Sequence, residues 1–147
     1  MSENTSEDQT VQQVAAKAIA NGGPATFEAL RSKPRRTLKF NVYTVDADGE
    51  EVALGVKYQA LSSKQYDDLV SEHPPSQKER AQGAVYNVDT FAPAIIAAVS
   101  VEPKLTVEQA TELYKSQEWS GGEITSLFLQ ALKVCNAGLD VPFNARD

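Results

Sequence analysis

Residues 37–60 read TLKFNVYTVDADGEEVALGVKYQA, and this stretch decides the fold. Leu38, Phe40 and Val42 alternate with Thr37, Lys39, Asn41 and Tyr43. After a break, Val52, Leu54, Val56 and Tyr58 alternate with Glu51, Ala53, Gly55 and Lys57. A period of two places one set of side chains on one face of a strand and the other set on the opposite face. Between the runs stands Asp46-Ala47-Asp48-Gly49-Glu50. Asp-Gly between two alternating runs is a strong hairpin signal, because glycine accepts a positive φ at little steric cost. A lone hairpin is marginal in water, so its apolar face needs a cover.

The residues that follow supply the cover, and they repeat one start signal three times. Ser62 and Gln65, Thr106 and Gln109, and Ser120 and Glu123 each form the pattern of a capping box. Leu61, Leu105 and Trp119 precede the caps, and Tyr66, Ala110 and Ile124 stand at the fourth helical position. This combination satisfies orphan N–H groups and sets the entry angle of the chain. A further helix is expected from near Asp89-Thr90, with Pro93 in its first turn, where the missing N–H does little harm. Ile124, Leu127, Phe128, Ala131 and Cys135 follow a 3.6-residue spacing in the last helix, which Asn136-Ala137-Gly138 closes. Pro74-Pro75 ends the first of these helices, and residues 74–87 read as a polar loop.

Residues 1–36 differ from the rest. They open with Ser, Glu, Asn, Thr and Gln, which cannot bury enough apolar surface to offset chain entropy. A short helix is expected over 11–20 (VQQVAAKAIA), with Val11, Val14, Ala18 and Ile19 on one face. Asn21-Gly22-Gly23-Pro24 stops it, and a second short turn follows at Thr26–Arg31. The reading is therefore α+β. A flexible arm covers 1–36. One domain over 37–138 holds a β-hairpin (about 37–60) and a bundle of about four helices (about 62–73, 89–100, 106–118 and 120–137). A loose tail follows at 139–147.

The 147 residues suffice for one ordinary domain, and the formal net charge of −6 disfavours nucleic acid and anionic membrane surfaces as general partners. The first ten residues lack the basic start and apolar run of a signal peptide, and no apolar run has the length of a membrane span. A cytoplasmic location is the expectation.

The search for chemistry is mostly negative. His73 and Cys135 are the single histidine and the single cysteine. They cannot make a Cys/His zinc site or a disulfide framework. His73 reads as a helix-end residue beside Pro74-Pro75 that favours the helix dipole, and Cys135 as a small buried hydrophobe. Gly121-Gly122 lies in a helix cap, without the strand and the Lys-Ser of a phosphate loop. Asp67-Asp68 and Glu50-Glu51 are adjacent carboxylates that do not face a common point, so they read as solvated surface. Arg31, Lys33, Arg35 and Arg36 have two readings: a grip on an acidic partner or nucleic acid, or, more often for such a cluster, charges that flank a strand and keep its edge soluble. No catalytic, cofactor-binding or metal-binding residue is expected, and no cofactor. The candidate partner interface consists of the aromatic residues Trp119, Phe91, Tyr114 and Phe128, since aromatic anchors dominate many interfaces.

The order of motifs carries a resemblance. Phe91-Ala92-Pro93 and a small apolar helix lead to Glu102-Pro103-Lys104-Leu105-Thr106 and a Glu/Ala-rich helix (Val107–Gln117). Trp119-Ser120-Gly121-Gly122-Glu123, Leu127-Phe128 and Val134-Cys135-Asn136 follow. Together with the upstream hairpin, residues 37–138 resemble the tail assembly chaperones of long-tailed, siphovirus-type bacteriophages, most of all those of phages of actinobacteria. The resemblance implies a non-enzymatic protein of the host cytoplasm. Such a protein coats the tape measure protein before the tail tube polymerises, helps recruit the major tail tube protein, and leaves before the virion is complete. It also implies a longer, frameshifted form of the chain as a partner, and self-association into a homo-oligomer stays open. The alternative is a structural tail or head–tail completion protein of the virion.

Overall fold

The structure, a computed structural model, describes residues 23–137, and the chain divides into two units after Pro34. The helix expected over 11–20 and the tail after Gly138 lie outside the described residues. In the first unit, the turn expected at Thr26–Arg31 is a short helix, α1 (Phe27–Ser32). Thr26 caps it by accepting from the Ala29 N–H at 3.0 Å, Arg31 pairs with Glu28, and the Arg31 guanidinium lies over the Phe27 ring.

The second unit opens with the expected hairpin. β1 (Thr37–Val45) pairs antiparallel with β2 (Glu51–Gln59), from Thr37 opposite Gln59 to Val45 opposite Glu51. Asp46 builds the turn. Its N–H donates to the Glu50 carbonyl at 2.9 Å, and its carboxylate Oδ1 accepts from the N–H groups of Asp48 and Glu50. Gly49 has φ +81°, the left-handed conformation for which glycine stands there. Leu38, Phe40, Val42, Val56 and Tyr58 face inward, with Val42 and Tyr58 fully buried.

All three expected capping boxes are closed by both reciprocal hydrogen bonds. They open α2 (Ser63–Ser71), α5 (Val107–Lys115) and α6 (Gly121–Asn136). A fourth box contradicts the reading of residues 74–87 as a loop. The Ser76 hydroxyl accepts from the Glu79 N–H at 3.1 Å, and the Glu79 carboxylate accepts from the Ser76 N–H at 2.7 Å, starting α3 (Gln77–Ala81). The cap is written in the sequence. The apolar stripe that usually follows is missing, because α3 has no buried residue.

The central helix is α4 (Val88–Val99). Asn87 caps it, its side chain accepting from the Asp89 N–H at 3.0 Å. The helix thus begins ahead of Asp89-Thr90, and Pro93 falls in its second turn rather than its first. The ring nitrogen of Pro93 cannot donate to the Asp89 carbonyl one turn back. Phe91, Ala92, Pro93, Ala94, Ile95, Ile96 and Val99 are all buried, so α4 is apolar nearly all round and takes the middle of the core.

α4 runs directly into a third strand, β3 (Ser100–Glu102), which the sequence reading did not contain. It pairs antiparallel with β2, Tyr58 opposite Ser100 and Lys57 opposite Glu102, across an irregularity between Lys57 and Tyr58. Three residues are too few for an alternation to show. The strand exists because β2 presents an open edge where α4 ends. The result is α+β: a three-stranded antiparallel sheet in the order β1-β2-β3 and six helices among the described residues. Two of those helices, α1 and α3, are additions to the four expected. α4 contacts α2, α5 and α6, while α6 lies on β1 and β2.

Candidate binding site

The inner face of the sheet and the helices that close it meet in two different ways. On one side, packing is complete. Phe91 has no exposed surface and sits among aromatic rings. Tyr86 stacks on it at 4.2 Å between ring centroids, and Tyr66, His73 and Phe128 approach edge-on at 6.2, 6.2 and 6.3 Å. Such edge-to-face pairs let positive ring edges meet negative faces. The cluster joins α2, the segment before α4, α4 and α6. His73 is a member of it, and its carbonyl also accepts the Asn87 N–H at 2.8 Å. The expectation of His73 as a mere helix-end residue is thus enlarged: it ties the end of α2 to the start of α4.

On the other side, packing leaves an apolar cavity of about 300 Å³. Val42 of β1 and Leu54, Val56 and Tyr58 of β2 form its floor. Pro103 and Leu105 come from the segment after β3, Leu113 from α5, Leu127 from α6, and Trp119 from the residue just before the α6 cap. Leu54 is 46% exposed and Trp119 is half-buried, so the cavity reaches solvent. The Tyr58 hydroxyl is already used, donating to the Leu127 carbonyl at 3.0 Å in the buried interior. The buried Ser100 hydroxyl likewise donates to the Ile96 carbonyl at 2.7 Å. What the cavity offers a ligand is therefore apolar surface rather than hydrogen bonds or charge.

The four aromatic candidates separate. Trp119 lines the cavity. Phe91 is withdrawn from the candidate interface, since full burial leaves it no surface for a partner. Phe128 packs against Phe91 and Tyr86 in the same cluster. Tyr114 bridges α5 to α4 by donating to the Asp89 carboxylate at 3.2 Å. Burial first, then that carboxylate, pushes the Tyr114 phenol up. Leu54, Val56, Leu105 and Leu113 also line the cavity and were not candidates. The alternation and the helix caps already marked the first three as apolar positions. That they surround unfilled space follows only from how α5 and α6 sit on the sheet.

The titratable groups near these elements are structural. The Glu123 carboxyl is held below its ordinary range first by the Thr44 side chain and then by the Ser120 N–H, which donates to it at 2.8 Å. Burial pushes the Cys135 thiol up, opposed by a backbone hydrogen bond at Leu61. Among the described residues, no group of three or more His, Cys, Asp and Glu side chains could hold a metal ion. No described helix is long and apolar enough to cross a membrane. Compared with known protein families, curated proteins and solved structures, the chain gives no match.

Proposed function

We propose that this protein is a phage tail assembly chaperone. In this reading it works in the host cytoplasm, binds and solubilises the tape measure protein, and helps recruit tail tube subunits without entering the virion. The observation that carries the reading is the apolar cavity walled by Leu54, Leu105, Leu113 and Trp119, which opens to solvent between the sheet and the helices. A holding chaperone needs apolar surface held open on a soluble body, and a net charge of −6 keeps the body dispersed. The order of motifs along residues 37–138 supports the same role. The protein is non-enzymatic in this reading: the cavity wall carries no nucleophile paired with a base, the minimum for covalent or acid–base catalysis.

Co-expression with the tape measure protein tests the proposal. The expected outcome is that the client stays soluble and co-purifies with this chain, and that mass spectrometry of purified particles finds none of it. Abundant signal in the virion would overturn the chaperone role in favour of a structural tail or head–tail completion protein. A client equally soluble without this chain would overturn it as well.

A further inference from the structure

The two edges of the sheet are guarded very differently. β3 is three residues long and is followed at once by Pro103, two devices that keep an edge from pairing further. β1 is nine residues long, pairs with β2 without a bulge, and contains no proline. Its hydrogen-bonding pattern can be read from its ends. The Ala60 N–H donates to the Arg36 carbonyl at 2.8 Å, and the Asp46 N–H donates to the Glu50 carbonyl at 2.9 Å. Directly bonded pairs recur every second residue in an antiparallel ladder, so even-numbered residues of β1 bond to β2. The N–H and C=O groups of Thr37, Lys39, Asn41, Tyr43 and Val45 point the other way. No described residue pairs with them, and all five residues are exposed, Tyr43 at 74% and Val45 at 55%.

From this edge we infer that the protein dimerises by adding β1 of a second copy antiparallel to β1, forming a continuous six-stranded sheet about a twofold axis at Asn41. The occupant follows from the strand's self-complementarity. With Asn41 opposite Asn41 of the second copy, Lys39 faces Tyr43, Thr37 faces Val45, and all nine residues take part. The outward groups then form about ten hydrogen bonds, two for each directly bonded pair. Lys39, the only charged residue of β1, lies opposite Lys57 on its own sheet, a like-charge pair, and has no carboxylate bonded to it among the described residues. In the dimer its other side meets an aromatic ring, a favourable neighbour for a cation. Sliding two residues either way shortens the paired stretch from nine residues to seven and sets Lys39 against Asn41 or Val45 in place of Tyr43. Sliding four residues leaves only five overlapped, and in one direction sets Lys39 against Lys39. Overlap length and the Lys39–Tyr43 match therefore select one register. An unrelated extended peptide would gain the backbone bonds without this side-chain match.

One strand pair is a small interface, below the size typical of permanent dimers, so the association is expected to be concentration-dependent. Sedimentation equilibrium of the full chain over a hundredfold concentration range tests it. The expected mass rises from one copy to two. Tyr43→Lys puts a second lysine opposite Lys39 at two symmetric places and should move the midpoint about tenfold upward. Combining it with Lys39→Glu makes two opposite-charge pairs and should restore the midpoint. Asn41→Pro removes an outward N–H and should abolish the dimer. Since Tyr43 is largely exposed, unchanged circular dichroism of Tyr43→Lys keeps the test decisive even if Asn41→Pro fails to fold. A monomer at every concentration would overturn the inference. So would a dimer or larger oligomer that Tyr43→Lys leaves unmoved.

Discussion

Replacing Tyr58 by Phe removes one oxygen from the middle of the core. Tyr58 has no exposed surface, and its hydroxyl donates to the Leu127 carbonyl across 69 positions of sequence, joining β2 to α6. The Leu127 carbonyl also faces the Ala131 N–H one helical turn on, so the substitution leaves no acceptor unpaired. The loss is that of one net hydrogen bond, about 1 kcal/mol. For a unit of this size it lowers Tm by roughly 3–5 °C. A second readout separates the bond from general packing. Burial pushes the Tyr58 phenol well above its ordinary value of 10.0. Below that value both folded and unfolded chains keep the proton. Above it, the unfolded chain loses the proton while the folded chain retains it, so stability falls as pH rises. The slope from this one group is up to about 1.4 kcal/mol per pH unit. Tyr58→Phe should therefore flatten the alkaline limb of a denaturant-midpoint profile measured from pH 8 upward. A residual limb remains, since burial also raises the phenols of Tyr86 and Tyr114. A variant as stable as the parent at neutral pH, with the same alkaline limb, would refute a buried, bonded Tyr58 hydroxyl.

Four further outcomes follow from the caps, the turn and the packing. Ser120→Ala opens the capping box of α6 and should cost about 1 kcal/mol in chemical denaturation; Thr106→Ala should cost a similar amount at α5. Gly49→Ala meets no neighbour but must adopt φ +81°, so about 1–2 kcal/mol should appear as backbone strain in the same assay. In the proposed chaperone role, Phe91→Ala should cost about 3–5 kcal/mol and lose client capture only by unfolding. Trp119→Ala should keep a cooperative thermal transition while weakening capture of the tape measure protein about tenfold or more in a pull-down titration.

Much of this molecule is local, and what is local was legible. The hairpin needs only alternation and Asp46–Gly49, since a strand's period and a glycine's positive φ are properties of a few neighbouring residues. The caps at Ser62, Thr106 and Ser120 are equally local, each closing within three residues. The cap at Ser76 obeys the same rule, but no apolar run stands behind it to mark a helix. β3 was not legible, because Ser100–Glu102 becomes a strand only by meeting the open edge of β2. The candidate site divides the same way. Trp119 could be named as an aromatic before a cap, but so could Phe91 be named as an aromatic of the helical half. Only the packing of α4 against α2 and α6 decided that Phe91 is enclosed and that Trp119 borders an unfilled cavity. Hydrophobic patterning states which side chains leave water, and that is a property of each residue and its period. Whether they meet one another or leave a space between them depends on how helices of different length settle on a twisted sheet, and on that the sequence is silent.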